Sequence, residues 1–172
     1  MGILDPTRGG WHVRVTLGQR PARLFADQAG AIIDEAAREA VALGSLRIWP
    51  EMARRVPTGA SGALAASVLP SAPVGALGTY TADVGPTGAP AMYAYWADQG
   101  RGPGGMPPEQ PIAYWAQARL GTSDPAVVYA IRRKIAQRGT TGSRFVDRTV
   151  SEAGPDVARA MAALVRLRAT TI

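Results

Sequence analysis

Apolar and polar residues alternate over residues 13–17, VRVTL, with Val13, Val15 and Leu17 facing one way and Arg14 and Thr16 the other. A period of two sends successive side chains to opposite faces, so this segment predicts a half-buried strand. Gly9-Gly10 and Gly18 flank it and make it an arm or edge piece. From Pro21 to about Leu43 the period becomes helical. Phe25, Ala29, Ile32, Ala36, Ala40 and Leu43 share one face, and Arg23, Asp27, Asp34 and Arg38 fall opposite. Asp34 and Arg38, four apart, are placed to pair. Pro21 suits a first helical turn and Gly44 a stop, with the helix able to resume towards Arg55.

The middle of the chain reads as a small sheet. Residues 79–85 alternate Tyr80, Ala82 and Val84 against Thr79, Thr81 and Asp83. Met92 to Ala97 is aromatic-rich and bounded by Pro90 and Gly100, which predicts a second strand, with burial for Tyr93, Tyr95 and Trp96. The turn chemistry of GPTGAP (85–90) between them suggests antiparallel pairing. A further strand is expected over Ala66–Leu69. Residues 100–111 are dominated by Gly and Pro, so no regular element is expected there and the segment reads as an exposed loop. Short helices follow over Ile112–Leu120, from Asp124-Pro125 to Gly139, and after Gly154-Pro155. No repeat or boundary divides 1–172, which reads as one domain with 1–20 as an N-terminal arm and 100–111 as an extended loop.

Composition narrows the chemistry. Hydrophobic residues make up 47% and charged ones 19%, a globular rather than a disordered balance. No cysteine is present, which excludes disulfides, thiolate nucleophiles and sulfur-ligated metals. The start shows no cationic end followed by an apolar stretch, Pro6 stands where a myristoylation signal needs Ser or Thr, and no apolar run reaches bilayer length. A soluble chain without a signal peptide is therefore expected. The net charge is +6, and every cation except Lys134 is arginine.

Gly100, Gly102 and Gly105 satisfy GxGxxG by counting. That motif works by opening a helix whose amino end holds a pyrophosphate, and Met106-Pro107-Pro108 makes a poor helix opening, so the segment reads as a loop. His12 is the single histidine and lies in the arm, away from any catalytic or metal-ligating pattern. Asp98 and Glu109 can be paired on paper for glycoside hydrolysis, but spacing alone does not set their separation, and structural roles are the plainer reading. The stretch from Arg119 to Arg148 carries Arg119, Arg132, Arg133, Lys134, Arg138, Arg144 and Arg148 against Asp124 and Asp147. Such clusters neutralise phosphate backbones. They also occur as ordinary solvated faces.

Three patches stand in order along the chain. The first is Val56-Pro57 followed by Ser61-Gly62-Ala63-Leu64-Ala65-Ala66-Ser67-Val68. The second runs from Tyr93-Ala94-Tyr95-Trp96-Ala97-Asp98 through Gln99 to Pro103, and the third from Ile131 to Phe145. Over about residues 21–150 they resemble the tail-completion or head–tail joining (neck) family of lambda-like long-tailed phages. Ser61 replaces that family's usual Thr, Asp98 its usual Glu, and Gly59-Ala60 looks inserted.

The resemblance implies a small α+β subunit, in keeping with the elements above: an antiparallel sheet of three to four strands packed by a long N-terminal helix and shorter C-terminal helices. It implies a structural virion protein of the neck, not an enzyme, with no cofactor. Its partners would be further copies of itself in a ring of six, the head connector or stopper, and the tail terminator or tail tube, with transient contact to DNA in the lumen and none to a membrane. It would assemble in the host cytoplasm and reside in the virion. Expected interface residues are Trp96, Asp98, Gly100, Arg101, Arg132, Arg133 and Arg144, with Asp98 and Arg101 forming ion pairs to neighbours and Trp96 packing beneath them. The arm and the 100–111 loop would touch adjacent rings, the loop being ordered by them. The alternative reading is a small basic nucleic-acid-binding module.

Overall fold

A helical stripe of small and apolar residues organises the molecule. The structure, a computed structural model, describes residues 13–16 and 28–170. Helix α1 spans Gln28–Arg55 without a break at Gly44. It buries Ala36, Ala37, Ala40, Val41, Ile48 and Met52, and Val56 just beyond its end is buried too. The expected face holds at Ala36 and Ala40 but not at Ile32, which is exposed. Phe25 and the rest of the expected helix start lie outside the described residues, as do His12 and all of the arm except 13–16.

Gly44 is a close-approach site rather than a stop. A Cβ there would come 2.6 Å from Met161 Sδ and 2.9 Å from Val15 Cγ1, so only glycine lets α1 lie this near both neighbours. Met161 belongs to α6 (Phe145–Ala169), which begins nine residues before the expected Gly154 and runs through Pro155. Proline removes one helical hydrogen bond at that point. Burial of Val157 and Met161 beyond it keeps the helix going. The two long helices run antiparallel, since Glu39 near the start of α1 pairs with Arg168 near the end of α6, at 3.0 Å, and Arg55 pairs with Glu152, at 2.6 Å.

Helix α1 also packs against the sheet. Strand β1 (Val13–Thr16) and the central β4 (Thr79–Pro86) pair antiparallel, with Arg14 opposite Asp83 and joined to it by a 2.8 Å ion pair. Strands β2 (Val68–Pro70) and β3 (Val74–Ala76) pair with successive parts of β4. Between them the amide of Ser71 donates to Asp83 O and its hydroxyl accepts from Asp83 N–H. The alternation read in 79–85 is realised, with Tyr80, Ala82 and Val84 buried towards α1.

The expected pairing of 79–85 with 92–97 is replaced by these three partners. The Asp34–Arg38 pair is also absent. Arg38 bonds Glu35 instead, while Asp34 accepts from Gly78 N–H (2.6 Å) and Tyr80 OH (2.8 Å), fastening α1 to the β3–β4 turn. The class is therefore α+β, a small antiparallel sheet and a second long helix packed against one long helix around a shared core. Among the described residues no helix is long and apolar enough to cross a membrane.

Candidate functional site

Helix α3 (Ala91–Gln99) stands where the aromatic-rich run predicts a strand. Tyr and Trp favour strands, but the period here is four: Ala94 and Asp98 point inward, and Met92 and Trp96 point outward. Pro90 opens the helix and Gly100, at φ 79°, closes it in a backbone conformation that suits glycine. As a result Met92 is 73% exposed, Tyr93 68%, Tyr95 44% and Trp96 55%. Trp96 does not pack beneath an ion pair. Its ring meets Tyr95 edge-on, with centroids 4.9 Å apart, and otherwise faces outward.

Asp98, expected at an interface ion pair, is fully buried. One carboxylate oxygen accepts the Val146 N–H at 3.0 Å and the other accepts from Gln99 Nε2 at 2.6 Å. Its backbone carbonyl accepts the Arg144 N–H. The reason lies in α6, whose N-cap Arg144 provides no side-chain acceptor and takes a left-handed φ of 52°. A carboxylate from α3 fills that role, capping an amide in the first turn and meeting the positive end of the helix dipole. Ser143 adds two bonds to Ala97 O from its amide and hydroxyl.

Behind this joint the chain forms a two-strand ladder, β5 (Gly100–Arg101) against β6 (Thr140–Thr141). Gly100, Gly139 and Gly142 are pressed so closely on facing backbone that a Cβ at any of them would overlap it. Gly100 thus acts through its lack of a side chain, not as a contact surface.

The 102–107 segment is irregular and largely exposed, as read, yet its own chain holds it. Arg101 donates to Gly105 O (2.5 Å), Gly104 N–H to Ala136 O (2.9 Å), and Arg132 Nε to Pro107 O (2.9 Å). These three bonds give the loop intrachain support. Its end is also helical. Helix α4 (Glu109–Leu120) starts inside the expected loop, with Pro108 as N-cap and Pro111 in the first turn, where a missing N–H removes no helical bond. Glu109 bonds Arg132 at 2.8 Å, so Glu109 and Asp98 serve separate structural bonds rather than a carboxylate pair.

Helix α5 (Pro125–Arg138) follows, capped by Asp124 as expected. Of the remaining expected residues, Arg132 is spent on this tie, Arg133 is exposed, and Arg144 is exposed beside Asp147 at 3.6 Å.

The three sequence patches meet here. The first becomes the 57–62 loop, the short helix α2 (Ala63–Ala66) and β2. It borders α3 across an apolar groove of about 440 Å³ lined by Pro57, Ala60, Leu64, Pro90, Tyr93 and Ala97 among others. Arg119 of α4 bonds Gly59 O at 2.7 Å and Thr58, which holds the groove's rim. The second and third patches join through Asp98 and the β5–β6 ladder. Sequence reasoning missed Met92 and Tyr93 as exposed groups, although the i, i+4 spacing of Ala94 and Asp98 was available to reveal them. Among the described residues no group of His, Cys, Asp and Glu is arranged to hold a metal ion. No protein-family model, curated protein or solved structure matches the chain.

Proposed function

We propose that this chain is a structural subunit of the neck of a long-tailed phage, a non-enzymatic ring component that joins the head connector to the tail. The observation that carries the reading is the outward face of α3, where Met92, Tyr93, Tyr95 and Trp96 stand exposed on a helix whose C-terminal end Asp98 and Ala97 tie to the start of α6. Large aromatic and methionine side chains grouped on a rigid surface are the composition of a protein interface, and a patch of this kind calls for a partner. The convergence of the three patches on this helix supports the same reading. Neighbouring copies in a ring of six, the connector or stopper, and the tail terminator or tail tube are the proposed partners. Trp96 is the anchor, with Met92 and Tyr93 beside it, while Asp98 contributes by holding α3 against α6.

The test is assembly. Particles made without this chain should accumulate as DNA-filled heads and separate tails. Trp96→Ala should reduce joining at least about 30-fold, the scale of an interface hot spot of about 2 kcal/mol. Infectious particles with attached tails in its absence would overturn the proposal.

A further inference from the structure

Seven cations crowd the stretch from Arg119 to Arg148, and the structure divides them. Arg119 is engaged with Gly59 and Thr58, and Arg132 with Pro107 and Glu109. Arg144 lies beside Asp147, and Arg148 beside Glu152 at 3.8 Å. The remaining three, Arg133, Lys134 and Arg138, are exposed on α5 and have no ion-pair partner among the described residues. With Tyr129, Ala130 and Gln137 they line one shallow hollow of about 410 Å³ on the outer face of that helix. Helix α5 itself contains no carboxylate.

A cation in the last helical turn is accounted for by the dipole, which explains Arg138. It does not explain Arg133 and Lys134, which precede that turn. Like charges this close repel one another, so an uncompensated trio on one face is most stable against an external anion.

We propose that this face of α5 docks the phosphate backbone of double-stranded DNA without reading its sequence. Arg133 and Arg138 are five residues apart, about 7.5 Å along the helix axis. That is on the scale of the separation of neighbouring phosphates along one strand, and Lys134 falls between the two arginines along the axis. A single strand would be held by stacking on several aromatic rings, and this face offers Tyr129 alone. An anionic membrane would be held by cations edged with inserted apolar groups, which Ala130 and Gln137 do not supply. The proposal concerns the isolated chain and stands apart from the neck reading.

Anisotropy titrations of a fluorescent 20-base-pair duplex with the full chain, from 20 to 200 mM NaCl, test it. Three phosphate contacts predict a slope of about −2.7 in log K against log salt, hence about 40-fold weaker binding at 200 than at 50 mM. Arg133→Gln, Lys134→Gln and Arg138→Gln should each lower the slope by about 0.9, and the triple variant should abolish binding at 20 mM. Glutamine keeps helix propensity, so circular dichroism should show these variants folded. Arg148→Gln should bind within about twofold of the parent. Absence of binding at 20 mM, binding retained by the triple variant, or capture by phosphatidylserine vesicles but not by DNA would each overturn the proposal. Particle assembly is read separately, so failure here leaves the neck reading to its own test.

Discussion

Asp98 and Trp96, two residues apart in sequence, exchange the roles their chemistry suggests. The charged residue is sealed inside and the indole faces outward. Burying a carboxylate is costly unless its oxygens are satisfied, and here the Val146 amide and the Gln99 side chain satisfy them. Replacing Asp98 by Ala leaves that buried amide unpaired and uncaps α6, which should cost roughly 2–3 kcal/mol. Asn, which keeps an acceptor oxygen, should cost less. Urea denaturation of the two variants checks the order. That Asp98 mattered was legible from its place between aromatics and glycines. Its role was not, because its partner is a backbone amide 48 positions onward and amides carry no sequence signal.

At the scale of elements, the strongly periodic segments were legible and the punctuated ones were not. The alternation of β4 and the cap of α5 read correctly because each is set by neighbours in sequence. Helix α3 was misread because aromatic propensity points to strands, and tertiary fit of Ala94 and Asp98 overrode it. Gly44 and Gly154-Pro155 read as boundaries because glycine and proline weaken isolated helices, yet packing between α1 and α6 carries both helices through. Gly44 therefore yields a prediction of unusual sign. Alanine for glycine inside an exposed helix gains about 1 kcal/mol. Here the added methyl meets Met161 and the stiff branch of Val15. Overpacking costs about 1–3 kcal/mol, so Gly44→Ala should lower stability, as a drop in the urea midpoint would show.

Across the whole molecule, charge ties α1 to both of its neighbours, and pH should loosen those ties from opposite ends. Glu152 and Glu51 are held below the ordinary 4.5, in each case first by hydrogen bonding to Arg55. A depressed carboxylate contributes stability above its unfolded pKa and loses it as pH falls through the folded one. The α1–α6 contact should thus weaken below about pH 4.5, modestly because both carboxylates are solvated. Tyr80 is shifted the other way, above 10.0, first by its hydrogen bond to Asp34. Its contribution is intact below pH 10 and is lost as pH rises through the folded value. Melting temperatures followed upward from pH 8 should therefore fall more steeply for the parent than for Tyr80→Phe.

The antiparallel pairing of α1 with α6 has a consequence for how the protein is made. Arg55 and Glu152 lie 97 positions apart, so the helix that completes the core leaves the ribosome long after the one it covers. At about 5–20 residues per second, the stripe from Ala36 to Met52 waits about 5–20 s for its cover. Throughout that interval the nascent chain offers an apolar helix face to any chaperone that binds such surfaces.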